Sequence, residues 1–427
     1  MTGQETQESR SPVSRKYEVA ILLVLSFVNG IVALDRLAVN FLSPYIVADM
    51  GLTNAQLGLL SSALSGAISV SGLLLAAIAD ASGKQKKILI LMLIAFSVLS
   101  SGSGLAIGFG TLFAARLLLG AAEGPLVPLT QTIMRAASHP DRRGFNMGAM
   151  QIGGAFLIGA MLGPVIAVSL AERFGWKATF FASAIPGLVA AAIIAFLVRD
   201  KPGASGEGRV VADEAEAGPP PSILSLLGSR NLVISMAIAG LFTAWITIQN
   251  VFMPLYLVKQ NGFSEQTMGW VLSIAGLGGL AGGIIVHALS DRFGRRPLVI
   301  IAGFFSVVAP LAMLFVTQSA MLLAVLLAIG WLAIGCAPLV CAIVPGESVP
   351  VSRMTTAVAM SMCTAELFGG MMSPPLAGWA ADVWGLRAPF IIDVALAFGC
   401  GLLGLMLTET RKPNRAAAMS APLPARA

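Results

Sequence analysis

The sequence predicts an all-α integral membrane protein whose twelve transmembrane helices form two six-helix bundles. Three observations carry this expectation. Hydrophobic residues make up 56% of the 427 and charged residues only 11%, where an ordinary soluble domain carries about 25% charged. Apolar runs long enough to cross about 30 Å of hydrocarbon recur along the chain, separated by short polar or glycine-rich breaks. One hydrophilic stretch, residues 199–230, holds charges and the run Gly218-Pro-Pro-Pro221, and it divides the apolar runs six and six.

In order, the first six spans are expected at 18–48, 55–79, 88–107, 110–136, 145–171 and 176–198. The second six are expected at 231–258, 266–289, 298–317, 320–345, 354–381 and 387–408. The domain plan is then a tail at 1–17, a bundle at 18–198, a flexible linker at 199–230, a bundle at 231–410 and a tail at 411–427. Of the 27 lysines and arginines, only Arg173, Lys177, Lys259 and Arg387 fall on one side of the membrane, and Arg36 and Arg116 lie within spans. All the others belong to the tails, loops and span ends of the opposite side, which makes that side, and both termini, cytoplasmic. A bacterial inner membrane is the expected location.

Composition also excludes several classes. A net charge of +6 without a basic patch on a soluble face does not indicate nucleic acid; basic loops against an anionic leaflet account for it. Cys336, Cys341, Cys363 and Cys400 all lie in apolar spans with no CxxC pair or His/Cys cluster, so neither a disulfide framework nor a metal site is expected. The first 16 residues are polar and no small-residue cleavage site follows a short apolar core, so no removable signal peptide is expected. Nucleophile–base sets and a GxxxxGK[ST] phosphate loop are absent, which argues against an enzyme and against a bound cofactor. Energy is expected from an ion gradient, and a monomer is the default for a two-bundle pathway.

An internal echo relates the halves. Ala77-Ile-Ala-Asp80-Ala-Ser-Gly83-Lys84 follows span two, and Ala288-Leu-Ser-Asp291-Arg292-Phe-Gly294-Arg295-Arg296-Pro297 follows span eight. Parallel six-span repeats are the pattern of a transporter with its site near midplane between the halves. At these residues the chain resembles the major facilitator superfamily over its whole length, from span one to Thr408-Glu-Thr-Arg411. The resemblance implies a gate latch at the repeated loop: Asp80, Gly83 and Lys84 in the first half, and Asp291, Arg292, Gly294, Arg295 and Arg296 in the second. The first copy departs from the pattern, with Ala81 in place of the first arginine and Gln85 in place of the last, so its latch is weaker in charge.

Charge inside the spans is where function is expected, because an ionisable side chain in hydrocarbon costs several kcal/mol and usually faces a cavity or bundle interior. In span four, Arg116, Gly120 and Glu123 are spaced i, i+4 and i+7 and share one helical face. Arg116 and Glu123 are roughly 10 Å apart along the axis, too far for a comfortable ion pair, so each needs another partner. In span one, Asn29, Arg36, Asn40 and Ser43 share a face, and Asp35 lies about 100° from Arg36 at its margin, placed to reach Arg116 or water. Asp35-Arg36 together with Arg116-x-x-x-Gly120-x-x-Glu123-Gly124 resembles the anion:cation symporter branch, whose members carry sugar acids and other organic anions with protons. That resemblance implies Asp35 and Glu123 as proton carriers and Arg36 and Arg116 as anion ligands. Spinster-type lipid and lysolipid transporters are the next nearest likeness. The plainer alternative is that the four charges neutralise one another and pin spans one and four together.

The second half offers Thr243, Thr247 and Asn250 on one face of span seven with Gln249 beside them, for substrate hydroxyls or for interhelical contacts. Glu366 in span eleven is a third candidate proton carrier or a buried, hydrogen-bonded acid; the symporter pattern does not place an acid there. His287, one turn before Asp291, is expected to make a gate contact. Asp382 and Asp393, near outer ends, are expected to meet interfacial water. Gly159-x-x-x-Gly163-Pro164 in span five is either an antiporter-like signature or a close-packing and kink element. The expected function is proton-coupled symport of a small organic anion by alternating access. The alternatives are a Spinster-like transporter of lysolipids, other amphiphiles or drugs, and a receptor of this fold that binds ligand without turnover.

Overall fold

The computed structural model describes residues 14–82, 84–198, 226–350 and 353–410, apart from the side chains of residues 76, 77, 80 and 140. All regular structure among them is helical. Most of the expected linker, the amino-terminal tail up to residue 13, the carboxy-terminal tail, Gly83 and the side chain of Asp80 lie outside the described residues. Eleven helical segments are long and apolar enough to cross a membrane: Arg15–Phe41, Asn54–Leu75, Gln85–Gly104, Phe109–Ala137, Arg143–Phe174, Trp176–Leu197, Arg230–Lys259, Glu265–Phe293, Arg295–Phe315, Ala320–Glu347 and Ala388–Met406. They correspond to expected spans one to ten and twelve. Span eleven is helical over 354–384 but in three pieces, Met354–Thr364, a wider π-helical turn at Ala365–Met372, and Ser373–Trp384. Glu366, three glycines and two prolines make it less apolar than its neighbours, and packing against spans two and seven shelters it.

Span one is shorter than expected. The chain breaks at Leu42, and a separate helix, Ser43–Met50, starts with Pro44 in its first turn and ends at Gly51, whose φ is +62°. Proline fits there because its missing N–H is unpaired in a first turn anyway, and glycine fits because only it takes positive φ without a steric cost. Span five is π-helical at Ile152–Leu162. A Cβ on Gly159 would lie 2.6 Å from Ala33, and one on Gly163 would lie 3.1 Å from Phe41. Of the two readings of that motif, close packing on span one is the one these contacts support.

Two bundles result. In the first, spans one and five, two and four, and three and six pack in pairs; in the second, eight and ten, seven and twelve, and nine and twelve do so. The bundles meet through spans two and eleven and through spans five and eight. These seams lie toward the face opposite the chain ends. Gly58 rests against the Pro374 backbone and Gly276 against that of Ala160, with no room for a Cβ. Asp382, expected at interfacial water, instead bridges the bundles: its carboxylate accepts Asn54 N–H at 2.9 Å, Ala55 N–H at 2.9 Å and Asn54 Nδ2–H at 2.8 Å, capping the start of span two. Toward the face that carries both chain ends the bundles part, and Arg36 and Glu366, mid-span on opposite bundles, have exposed side chains.

At that same face each bundle is tied to itself. Buried Glu18 accepts hydrogen bonds from Arg142 Nη2 at 2.7 Å, Asn146 Nδ2 at 2.6 Å and the His139 N–H at 3.2 Å, fixing the loop after span four to span one. In the second bundle Arg295 reaches Asp291 at 2.7 Å and Glu347 at 3.4 Å, while Glu409 accepts the N–H groups of Arg295 and Arg296.

Candidate functional site

The polar stripe of span four does not pair within itself. Glu123 accepts Arg36 Nε–H at 2.7 Å, with Arg36 Nη2 at 2.5 Å from the same oxygen. Arg116 donates from Nη2 to the carbonyl oxygen of Arg36 at 3.0 Å, and its Nη1 stands 4.0 Å from Asp35 Oδ2. The spacing of 10.5 Å or so along the axis forces this crossing: each charge of span four finds its opposite on span one, two rungs of one ladder. Adjacent Asp35 and Arg36 point to different rungs because neighbouring helical residues diverge by about 100°. The net charge of the four groups is zero, as the pinning alternative requires, but three features go beyond neutrality.

First, exposure is unequal. The Arg36 side chain is 42% exposed to the open space between the bundles, whereas those of Asp35, Arg116 and Glu123 are at most 2% exposed. Second, the ladder is not saturated. Asp35 Oδ2, Glu123 Oε2 and both Nε and Nη1 of Arg116 are buried without a hydrogen-bond partner among the described residues. Third, Asp35 Oδ1 accepts from two hydroxyls, Ser100 and Ser183, the latter at 3.0 Å, and these serines lie 2.7 Å apart. Sequence reasoning missed both serines. The only available signal was the recurrence of serine in spans three and six at the depth of Asp35.

On the opposite wall Glu366 lies within electrostatic reach of Arg36. It folds toward Gly370, where a Cβ would lie 2.5 Å from its Oε2 and 3.5 Å from Ser65 Cβ. Glu366 is therefore an exposed acid of the cleft, not a buried hydrogen-bonded one. The other candidates are less open. Asn29 is buried and accepts from Thr130 at 3.4 Å, and Asn40 is buried. Thr247 and Asn250 donate to their own helix, to the carbonyls of Thr243 and Ile246. Gln249 is fully buried and accepts the Trp331 indole N–H at 2.7 Å. Gln249 and Asn250 together line a small pocket with Leu37 and Phe41 of span one, Ala160 of span five and Trp331 of span ten, at the closed end of the cleft.

Among the latch residues, Asp291 pairs with Arg295, and Gly294 takes a φ of +101° that turns the loop. Arg296 donates to the Leu405 carbonyl at 3.1 Å, Arg292 stacks over Phe293, and Lys84 is exposed. His287 does not reach for Asp291; its Nδ1 sits 2.6 Å from the Gly283 carbonyl of its own helix. Asp393 is corrected outright: it is 0% exposed, inside the second bundle, and meets no interfacial water.

The chain matches the family model of the Major Facilitator Superfamily over residues 25–249 and 236–426. It is 29% identical over 291 residues to the hexuronate transporter of Bacillus subtilis (strain 168), covering 66% of this chain and 67% of that one. It is 27% identical over 411 residues to the 3-(3-hydroxy-phenyl)propionate transporter of Escherichia coli (strain K12), covering 93% and 92%. In fold it is similar to the inward-facing, unoccupied crystal structure of a bacterial homolog of the human lysosomal transporter Spinster. There the TM-score is 0.75 at 18% identity, covering 92% of this chain and 97% of that one.

Proposed function

The chain belongs to the Major Facilitator Superfamily, and from that premise we propose that it is a proton-coupled transporter of a small organic anion working by alternating access. The observation that carries the reading is the position of Arg36: it is the one member of the ladder that faces the cleft, and its guanidinium is engaged by a buried carboxylate, Glu123. A guanidinium can bind a substrate carboxylate bidentately, which a lysine cannot. Substrate and Glu123 therefore compete for Arg36. A proton on Glu123 removes its charge and frees the guanidinium, so anion and proton load together, and loss of the proton restores the internal pair and displaces the anion. Asp35, held by Ser100 and Ser183 and facing Arg116, is the second acid of this relay. Glu366, across the cleft, is the group that a cationic or neutral substrate would meet, and its charge limits which anions fit beside Arg36.

The two relatives named above are both named for carboxylates, which supports the anion. The positive-inside distribution supports a cytoplasmic open face in a bacterial inner membrane. A second reading has its own observation. A groove of about 600 Å³ between spans seven, eleven and twelve is lined almost wholly by apolar groups, among them Met236, Gly240, Ala244, Phe368 and Leu396, as an amphiphile would need.

Thermal unfolding of the purified protein separates the two. Hexuronates, aromatic acids and lysolipids are tested against wild type, Arg36→Ala and Arg116→Ala. A ligand of the folded state stabilises it by about 2.7 kcal/mol at a hundredfold excess over Kd. Stabilisation by one carboxylate in wild type and in neither variant upholds the anion. Stabilisation by lysolipid alone, unchanged in the variants, replaces it.

A further inference from the structure

Asp393 takes no part in the ladder. Its side chain is 0% exposed, and among the described residues the only side-chain donor in reach of its carboxylate is Gln249, outside good hydrogen-bond geometry. Its polar neighbour is Gln249 on span seven, equally buried, whose Nε2 has no acceptor and whose Oε1 is occupied by the Trp331 indole. Among the described residues no cation is paired with it. On its own span the titratable neighbour is Cys400, and Arg387, about two turns before it, donates to the Leu314 carbonyl. On span seven Tyr256 stacks on Phe390 and is directed to Arg387. Span nine carries no titratable residue over 298–315. On span eleven Asp382 is committed to Asn54 and Ala55, and Glu366 faces Arg36.

An ionised carboxylate in such a place has neither water nor a positive charge to offset it, and a proton is the simplest compensation. The path by which that proton could exchange is also built. Gln249, in contact with Asp393, lines the pocket at the closed end of the cleft, where Leu37, Phe41 and Ala160 of the first bundle seal it. When the bundles rock so that the opposite face opens, those three residues withdraw and Gln249 becomes the wall of the open side. We propose that Asp393 is a second proton-binding site, belonging to the second bundle, which exchanges its proton through Gln249 only when the cleft opens on the face opposite the chain ends. This rests on the proton-coupled reading above. Each cycle then carries a proton on the second bundle in addition to the one on the ladder.

The test is infrared spectroscopy of the full chain in lipid vesicles, which needs no knowledge of the substrate. Spectra of wild type and Asp393→Asn are compared at neutral and alkaline pH, in H2O and D2O. They are also compared in an Asp382→Ala background, which loosens the seal on the far face. The expected result is a protonated-carboxyl C=O band, absent in Asp393→Asn, that resists alkaline pH in wild type and is lost at alkaline pH in Asp382→Ala. If the amide variant does not fold, Asp393→Glu keeps the acid and moves the band. A band that never responds to pH in either background means a permanently held, structural proton and overturns the proposal. Absence of the band means an ionised Asp393 and overturns it equally. Failure of proton coupling itself is read elsewhere, as proton-driven accumulation that survives Glu123→Gln, and leaves the Asp393 band unchanged.

Discussion

Arg36 directs Nε and Nη2 to a single oxygen of Glu123 and leaves the rest of its guanidinium to the cleft. Glu123→Gln should therefore abolish proton-driven accumulation in vesicles while counterflow exchange continues, because the amide imitates the protonated acid and leaves Arg36 free. Accumulation at the wild-type level would remove Glu123 from the coupling scheme. Arg36→Lys should raise KM about tenfold or more at little cost in stability, since a point charge replaces a fork. The serines behind Asp35 are a different matter. Ser100→Ala and Ser183→Ala should each cost about 1 kcal/mol in unfolding free energy, the usual net worth of a hydrogen bond, and the double variant should cost more than the sum because it strands a buried carboxylate. Equal, additive losses would mean that Asp35 has other donors. The four charges were legible in the sequence because charge stands out against an apolar run. The serines were not: a serine in a membrane helix can satisfy itself on its own backbone, as Ser97 does on Leu93 at 2.8 Å, and nothing local distinguishes Ser100 from it. Asp393 was misplaced for a related reason. Position along a span gives depth in the membrane, not which neighbour covers the side chain.

At the scale of elements, the seal on the far face depends on a helix end. Three donors at the start of span two converge on Asp382, so a carboxylate from one bundle caps a helix of the other and meets the positive end of its dipole. Asp382→Ala should shift the resting population toward the opposite opening. In a Cys363→Ser background, a cysteine placed at Asn250 should then be alkylated several-fold faster by an impermeant maleimide from that face. An unchanged rate would show that the backbone seams alone hold the closure. The length and order of the spans followed from apolar runs, but their interruptions followed from residues whose effect depends on partners. Pro44 starts a new helix, and Glu366 with the glycines after it sits in a widened turn that lowers span eleven's apolarity. Neither changes hydropathy enough to be read in advance as a break.

Across the whole molecule, the second loop of the internal repeat is a tie within one bundle. It is knitted to the ends of spans ten and twelve through Arg295, Glu347 and Glu409. Arg295→Ala should lower stability by about 1 kcal/mol, a typical value for a partly exposed charged network, without moving the opening equilibrium, whereas Asp382→Ala should move it. Differential scanning fluorimetry beside the alkylation assay separates the two. The repeat itself was readable from sequence, since similar loops recur at equal places; the partners of the second loop were not, because they come from span ends far along the chain.

The seam between the bundles has one more property. Where Gly58 lies on Pro374 and Gly276 on Ala160, main chain rests directly on main chain. Such a bearing offers little friction: no rotamers must be exchanged for one bundle to roll past the other. Glycine at those two points should therefore set how fast the molecule turns over, and not how tightly it holds its cargo. A methyl group at Gly276 would act as grit, slowing each cycle while leaving the grip of Arg36 untouched.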